Sequence, residues 1–481
     1  MSTPTVIAAV EEAARDLVCG KRVVILCTAL VGAVPMADAV RRYGCDDVLV
    51  IGLTRGTGTP PTGAGVTCTE VDLGTMESVA DEIAMAARLV NDPPAVVRAA
   101  VESFDPDRRA VVVISGFAGR AGRFLERSTI GGRPMAFEQL EDKTLSRALW
   151  TECEIASAPE GVVQCAWEPL QGLAARLDSG HGTVWSADAS AGMNGGADLV
   201  FQVRTQAQAR AAYDALLPVS HQARIMPFLE GVPCSIHGIV LPDGIAVLRP
   251  VELLVLRRPD ASKFVYGGIS TGWDPAPADR DEMREVARRV GRHLRQKHAY
   301  RGGFGIDGIL TKDGFRPTEL NPRFTGGLSR IARGVPDLPM HWLHMLLVDG
   351  HDLGVTAAEV ETLLVPAADA QRSGAAYAMS STTSSLDTES VLVAGDQHHL
   401  QVANDATDPV GTLERGPGAH GDLVRFTPTE VTPGTRLAPL AVAAFDLADR
   451  LWDTGFGVLQ AAPDVAGLDT ARPGGSPARP A

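Results

Sequence analysis

Asp307, Glu319, Asn321 and Arg323 are crowded into GGFGIDGILTKDGFRPTELNPRFTGG, residues 302–327, among residues that are mostly apolar or small. The run reads as the two strands of a hairpin. A three-residue loop, Lys312-Asp313-Gly314 with Gly314 in the left-handed position, pairs Asp307 with Glu319, and period two puts Asn321 on the same face. Two carboxylates facing each other on a half-buried sheet repel and remain poorly solvated unless a hard cation sits between them. With the amide they form a partial shell of oxygens, the kind that holds magnesium while leaving positions for phosphates and water. Arg323, two residues past Asn321, is placed to reach a phosphate or a carboxylate with its planar fork. Glu252, mid-strand in RPVELLVLRRP, is a further candidate metal or substrate contact, the alternative being a buried ion pair with a neighbouring arginine. Arg301, just ahead of the hairpin, is a candidate partner for a substrate carboxylate.

These groups need elements to hold them. DRDEMREVARRVGRHLRQKH (279–298) has acids at its start, basic residues at its end, and Met283, Val286, Ala287, Val290 and Leu294 at helical spacing, so it is expected to pack on a sheet beside the hairpin. Residues 21–53 read as strand, amphipathic helix and strand, and AVVVISGF (110–117) as another buried parallel strand. Residues 1–125 are therefore expected to form an α/β layer, and 126–355 a region of strands, hairpins and helices. Residues 356–465 carry short strand-like runs and a helix at 438–452, and 466–481 read as a disordered tail. The Gly- and Pro-rich RGTGTPPTGAG (55–65) lacks the spacing of a phosphate-binding loop and reads as a surface loop.

Composition narrows the function classes. With 481 residues the chain exceeds one ordinary core, and a net charge of -14 argues against nucleic acid and anionic membrane as partners. No stretch reads as a signal peptide or membrane span, so a cytoplasmic protein acting on small molecules is expected. The seven cysteines are odd in number and scattered, without the spacing of a disulfide framework or zinc site.

GIDGILTKDGFRPTELNPRFTGG resembles the metal-binding hairpin of the ATP-grasp carboxylate–amine ligases, an Asp on one strand and E-x-N-P-R on the next. The resemblance implies that Asp307, Glu319 and Asn321 hold magnesium (or manganese) bridging the phosphates of ATP, and that Arg323 assists the transferred phosphoryl group. Its other parts follow in order. GGRPMAFEQLEDKTLSRALW is similar to the segment in which a Lys opens a helix and contacts phosphate, which implies that role for Lys143. TVWSADASAGMNGGADLVFQV (183–203) is similar to the hairpin whose glycine-rich loop closes over the nucleotide, within a lid of about 183–225, with Gly192, Gly195 and Gly196 in the loop. Trp185 and Ser186 stand where the family carries a second ATP-binding Lys. ARIMPFLEGVPCSIHGIV resembles the strand that holds adenine, implying contacts from Met226, Pro227, Phe228 and Leu229, with the Pro227 carbonyl and Leu229 amide reading the base.

The implied architecture is α/β and α+β: an N-terminal Rossmann-like pre-ATP-grasp domain, an ATP-grasp module and a β-rich C-terminal region. The C-terminal region is expected to complete the substrate pocket or to form a homodimer interface. The implied activity joins a carboxylate to the amine of an amino acid or peptide through an acyl phosphate. Within the family, the chain looks most like bacterial amino-acid and peptide ligases of secondary metabolism, such as the γ-glutamyl dipeptide ligases. Two alternatives remain: an ATP-binding regulatory protein without turnover and, more distantly, a dinucleotide-dependent oxidoreductase, which lacks its glycine fingerprint here.

Overall fold

The computed structural model describes residues 5–465, apart from 121, 191, 193, 194, 196, 383–386 and 405–407. The expected tail, 466–481, lies outside the described residues. Two sheets organise the chain. The first is parallel, in the order β3-β2-β1-β4-β5, from β1 (Val23–Ala29), β2 (Val48–Thr54), β3 (Val66–Glu70), β4 (Val111–Arg120) and β5 (Ser128–Pro134). The apolar run Val23-Val24-Ile25-Leu26 is buried throughout because helices cover both faces of the sheet. The layer does not end at 125, because β5 pairs with β4 from Ser128 onward. Ile130 is the one large apolar residue in STIGGRP, so this strand carries almost no pattern in the sequence.

The second sheet contains every other strand. Its smaller lobe comprises β6 (Gly161–Gln164), β7 (Thr183–Ala187), β8 (Val200–Val203) and β9 (Gln222–Pro227). The larger lobe begins with β10 (Val232–Val240), β11 (Ile245–Val247), β12 (Val251–Arg258), β13 (Lys263–Ser270), β14 (Gly302–Thr311) and β15 (Gly314–Asn321). The C-terminal region then adds β16 (Gly374–Met379), β17 (Glu389–Gly395), β18 (Leu400–Val402), β19 (Gly411–Pro417) and β20 (Asp422–Pro428) to the same sheet, because β16 pairs with β13. The helix Pro277–His298 buries Met283, Val286, Ala287, Val290 and Leu294, the stripe read from the sequence, in a core shared with β10 and β14. The loop around Thr57 joins the layers: its hydroxyl donates to the Pro417 carbonyl at 3.0 Å, and the Gly58 N–H donates to Thr388 Oγ1 at 2.9 Å. Among the described residues no helix is long and apolar enough to cross a membrane.

Glu252 is a correction. It was a candidate metal ligand, yet sheet parity puts it on the wrong face. Cys234 of β10 lies opposite Glu252, whereas the next residue, Ser235, lies opposite Asp307; neighbours in a strand point to opposite sides. Glu252 is fully buried, 2.9 Å from Arg436 Nε, and accepts from the Leu437 and Ala438 N–H groups at 2.6 and 3.4 Å. It anchors the helix Ala438–Trp452 to the sheet. Burial raises its carboxyl above the ordinary range, against the opposing pull of Arg436 and the backbone N–H groups. Removing one partner strands a buried charge, so Glu252→Ala is expected to cost about 3–5 kcal/mol. Urea unfolding checks this; a change within error would show that the pair does not hold the helix.

Candidate functional site

The hairpin of β14 and β15 brings the two carboxylates together by a route the sequence reading missed. The turn is the two-residue Lys312-Asp313, with Thr311 opposite Gly314, not the three-residue loop. Gly314 does take a left-handed conformation (φ +97°). On that count alone Asp307 would face Thr318. A bulge between Asp307 and Gly308 shifts the register, so that Asp307 pairs with Glu319 and Ile306 with Leu320. The Thr318 hydroxyl donates to the Asp307 carbonyl at 3.2 Å beside this irregularity.

Asn321 Nδ2 donates to Asp307 Oδ2 at 3.0 Å, and Arg323 donates to Asn321 Oδ1 at 2.8 Å. Arg323 also donates to Glu141 at 3.0 Å, and Glu141 is ion-paired with buried Arg133. Lys143 Nζ lies 2.7 Å from Glu319 Oε1. Opposite charges thus alternate through the site. Burial, then Glu319, pushes the Asp307 carboxyl up to about 6, against the pull of Ser235, Arg323 and Asn321. Burial works against the charge of Arg323, but Glu141, Glu319 and Asp307 outweigh it and hold the guanidinium above its ordinary value.

These groups line one wall of a cavity of about 590 Å³. Met226, Pro227, Phe228 and Leu229, expected at the base-binding strand, line another. The Phe228 ring stacks on Phe264 with centroids 6.3 Å apart, and Arg257 lies 4.8 Å from its centroid. Gly195 lines the cavity and packs so closely on the helix Val79–Asn91 that a side-chain carbon there would come within 3.0 Å of Val79 and Ile83. Asp198 reinforces this contact by accepting from the Val79 N–H at 3.0 Å. Gly192 borders a smaller crevice beside Lys143, and Gly196 lies outside the described residues. Arg301 is a second correction, since it does not reach the cavity wall. It stands six residues from Asp307 along extended chain, a rise of roughly 20 Å.

Three polar residues escaped the sequence reading. Arg224 lies opposite Ser186 across β7 and β9, next to the cavity-lining pair Val184 and Met226. It donates to the Thr318 carbonyl at 2.8 Å and lies 3.5 Å from Glu160; burial lowers its pKa. Glu141 sits between Leu140 and Asp142 in a segment whose lysine took the attention. His237 lies 3.4 Å from Ser235 Oγ and is kept neutral by burial, its pKa lowered to about 3. Its partners come from distant β14 and the Gly326–Ala332 helix, so no local spacing signals it.

Among the described residues no three His, Cys, Asp or Glu side chains stand together as a metal set. Two carboxylates make an incomplete oxygen set, with the Asn321 amide donating to Asp307 beside them, and carboxylate oxygens suit a hard cation that retains water and phosphate ligands. The crowding that raises Asp307 is relieved by such a charge.

Solved structures share this fold. The chain superposes on carboxyaminoimidazole ribonucleotide synthase of Aspergillus clavatus, solved with ATP, at a TM-score of 0.50 and 14% identity, covering 90% of this chain and 99% of that one. Biotin carboxylase of Campylobacter jejuni, solved as a β,γ-ATP complex, gives a TM-score of 0.51 at 12% identity, covering 88% and 91%. The biotin carboxylase domain dimer of the 2-oxoglutarate carboxylase of Hydrogenobacter thermophilus, solved with MgADP, ADP and bicarbonate, gives 0.51 at 11%, covering 85% and 86%. No family model and no curated protein matches the chain. The likeness is one of fold: a parallel amino-terminal layer, an ATP-grasp module and a β-rich C-terminal region.

An unfolded aspartate titrates near pH 4, so between about pH 4 and 6 the Asp307 carboxyl holds its proton more firmly in the folded chain than in the unfolded one. The contribution of Asp307 to stability is therefore expected to fall as pH rises through that window and to level off above it, against the opposite contribution of the buried histidines His237, His341 and His344, whose pKa values are lowered. In chelator-treated protein Asp307→Asn is expected to be about 2 kcal/mol more stable than its parent near pH 7.5, the gain vanishing near pH 4. Urea midpoints at both pH values check this; an equal gap at both would exclude ionisation as its cause.

Proposed function

We propose that the chain is an ATP-dependent ligase that activates a substrate carboxylate as an acyl phosphate and joins it to the amine of an amino acid or peptide, releasing ADP and phosphate. The observation that carries this reading is the convergence, in one cavity, of the Asp307–Glu319 pair, two cations and the stretch 226–229. Support also comes from the shared fold, since the structures named above hold ATP or MgADP.

Asp307 and Glu319, with Asn321 beside them, would hold magnesium or manganese, which supplies positive charge against the phosphate oxygens. The chain's own residues do the rest. The Pro227 carbonyl and the Leu229 N–H read the edge of adenine, and the apolar wall around Phe228 covers its face. Lys143 and Arg323 are positioned to neutralise charge spreading over the phosphoryl oxygens as the substrate carboxylate attacks. Arg224, beside Ser186, supplies a cation where the family pattern has its second lysine. An acyl phosphate hydrolyses readily, so the loop around Gly195, seated on the helix Val79–Asn91, would exclude water until the amine arrives. The finer resemblance favours amino-acid substrates, glutamate among them, and a role in bacterial natural-product assembly.

The test is ADP release from Mg-ATP with pairs of amino acids, products being read by mass spectrometry. A condensed product one water lighter than the pair is expected, and Glu319→Ala and Lys143→Ala are each expected to slow ADP release by about 100-fold or more. Tight ATP binding without ADP from any pair would instead favour a regulatory protein.

A further inference from the structure

The cavity has a second polar corner, apart from the hairpin carboxylates. Tyr266 of β13 and Tyr377 of β16 both line it and meet edge to face, with centroids 5.9 Å and hydroxyls 3.5 Å apart. Arg425 of β20 lies directly opposite Tyr377, and Glu414 of β19 directly opposite Arg425, so these three share one face of the sheet. The helix Gly326–Ala332 lies against that face. Gly326 approaches so closely that a side-chain carbon there would sit 3.6 Å from the Tyr377 hydroxyl, and Arg330 follows one turn later on the same side.

Arg330 is the unusual member. It is half-buried, and burial holds its guanidinium below the ordinary value, with Arg333 and Arg425 acting in the same direction and the two tyrosines opposing them. Glu414 is taken by Arg425 at 2.9 Å. Arg330 has no ion pair or side-chain hydrogen bond among the described residues. A half-buried guanidinium beside two hydroxyls, in a chain of net charge -14, is an unfavourable arrangement until an anion completes it.

Its place beside the two cavity-lining tyrosines narrows the choice of anion. Tyr266 feels the charges of Asp307 and Arg323, while the charges acting on Arg330 are those of tyrosines and arginines. The corner is thus set back from the hairpin by the tyrosine ring. An anion bound there is not the group being phosphorylated at Asp307 and Glu319.

We propose that Arg330, Tyr266 and Tyr377 form a subsite for a second carboxylate of the amino-acid substrates, one that takes no part in bond formation. The inference rests on the ligase reading above. The guanidinium offers parallel N–H donors to a carboxylate and the phenols add O–H donors. Two groups fit this chemistry: the α-carboxylate of a dicarboxylic acid activated through its side chain, or the carboxylate of the amino acid whose amine attacks.

The experiment compares wild type with Arg330→Gln, Arg330→Lys and Tyr377→Phe, using the active amino-acid pair and the same pair with each unreactive carboxylate amidated in turn. In wild type, amidating one of them is expected to raise KM at least tenfold. Arg330→Gln is expected to erase most of that preference, and Arg330→Lys to keep part of it. Repeating the assay with hydroxylamine in place of the amine separates the sources: preference lost in hydroxamate formation assigns the carboxylate to the donor, and preference lost only in condensation assigns it to the acceptor. Wild type that uses amides as well as acids, or variants that keep the full preference, would overturn the subsite. If wild type forms neither ADP nor hydroxamate, the ligase reading fails, and equilibrium dialysis of the free amino acids and their amides decides the subsite alone. Retention of free acids by wild type and their release by Arg330→Gln would support it, and equal retention would overturn it.

Discussion

Two carboxylates are held face to face on a half-buried hairpin, and the rest of the site is organised around that constraint. Asp307 and Glu319 meet only because a bulge shifts β14 against β15. Left alone, the pair would repel and part of it would take up a proton, as the raised Asp307 carboxyl shows. Lys143 answers Glu319, Asn321 answers Asp307, Arg323 spans Asn321 and Glu141, and Arg133 closes the series. These groups come from two separated stretches of chain, 133–143 and 307–323, so the two must close on one another for the charges to balance. Crowded carboxylates of this kind would be relieved by a hard cation.

Much of this was legible before the fold was known. The helix Pro277–His298 gave itself away by its buried stripe and its charge polarity, and the parallel strands by continuous apolar runs. Local pattern failed where the cause was not local. β5 has one large apolar residue and is held by its neighbour in the sheet, so the sequence pattern of the layer stops short of it. The Asp307–Glu319 pair was read correctly on a mistaken loop length, because the bulge added back the residue that the shorter turn removed. Glu252 looked equivalent to Asp307 as an acid among apolar residues, and only the register of β10 between the two strands shows that they face opposite sides. Arg224, Tyr266 and Tyr377 come from segments far apart in sequence, and no spacing within any one of them announces a shared cavity.

The same reasoning explains the division of labour between the sheets. The parallel layer contributes the helix Val79–Asn91 as a seat for the loop around Gly195, and the antiparallel sheet contributes both ends of the cavity. Asp198 ties the two together through one backbone N–H. The helix Val79–Asn91, whose own segment contains no sign of nucleotide chemistry, thus holds Gly195 and Asp198 in place.

The pairing of β16 with β13 makes the C-terminal third inseparable from the module before it. Anyone recombining this chain with a relative, to exchange one substrate preference for another, meets a seam that runs between Tyr266 and Tyr377. A crossover placed at the apparent boundary near residue 355 would inherit one phenol from each parent and leave their 3.5 Å contact to chance. The Tyr266–Tyr377 contact is a joint property of two segments some hundred residues apart, and such segments can only be traded together.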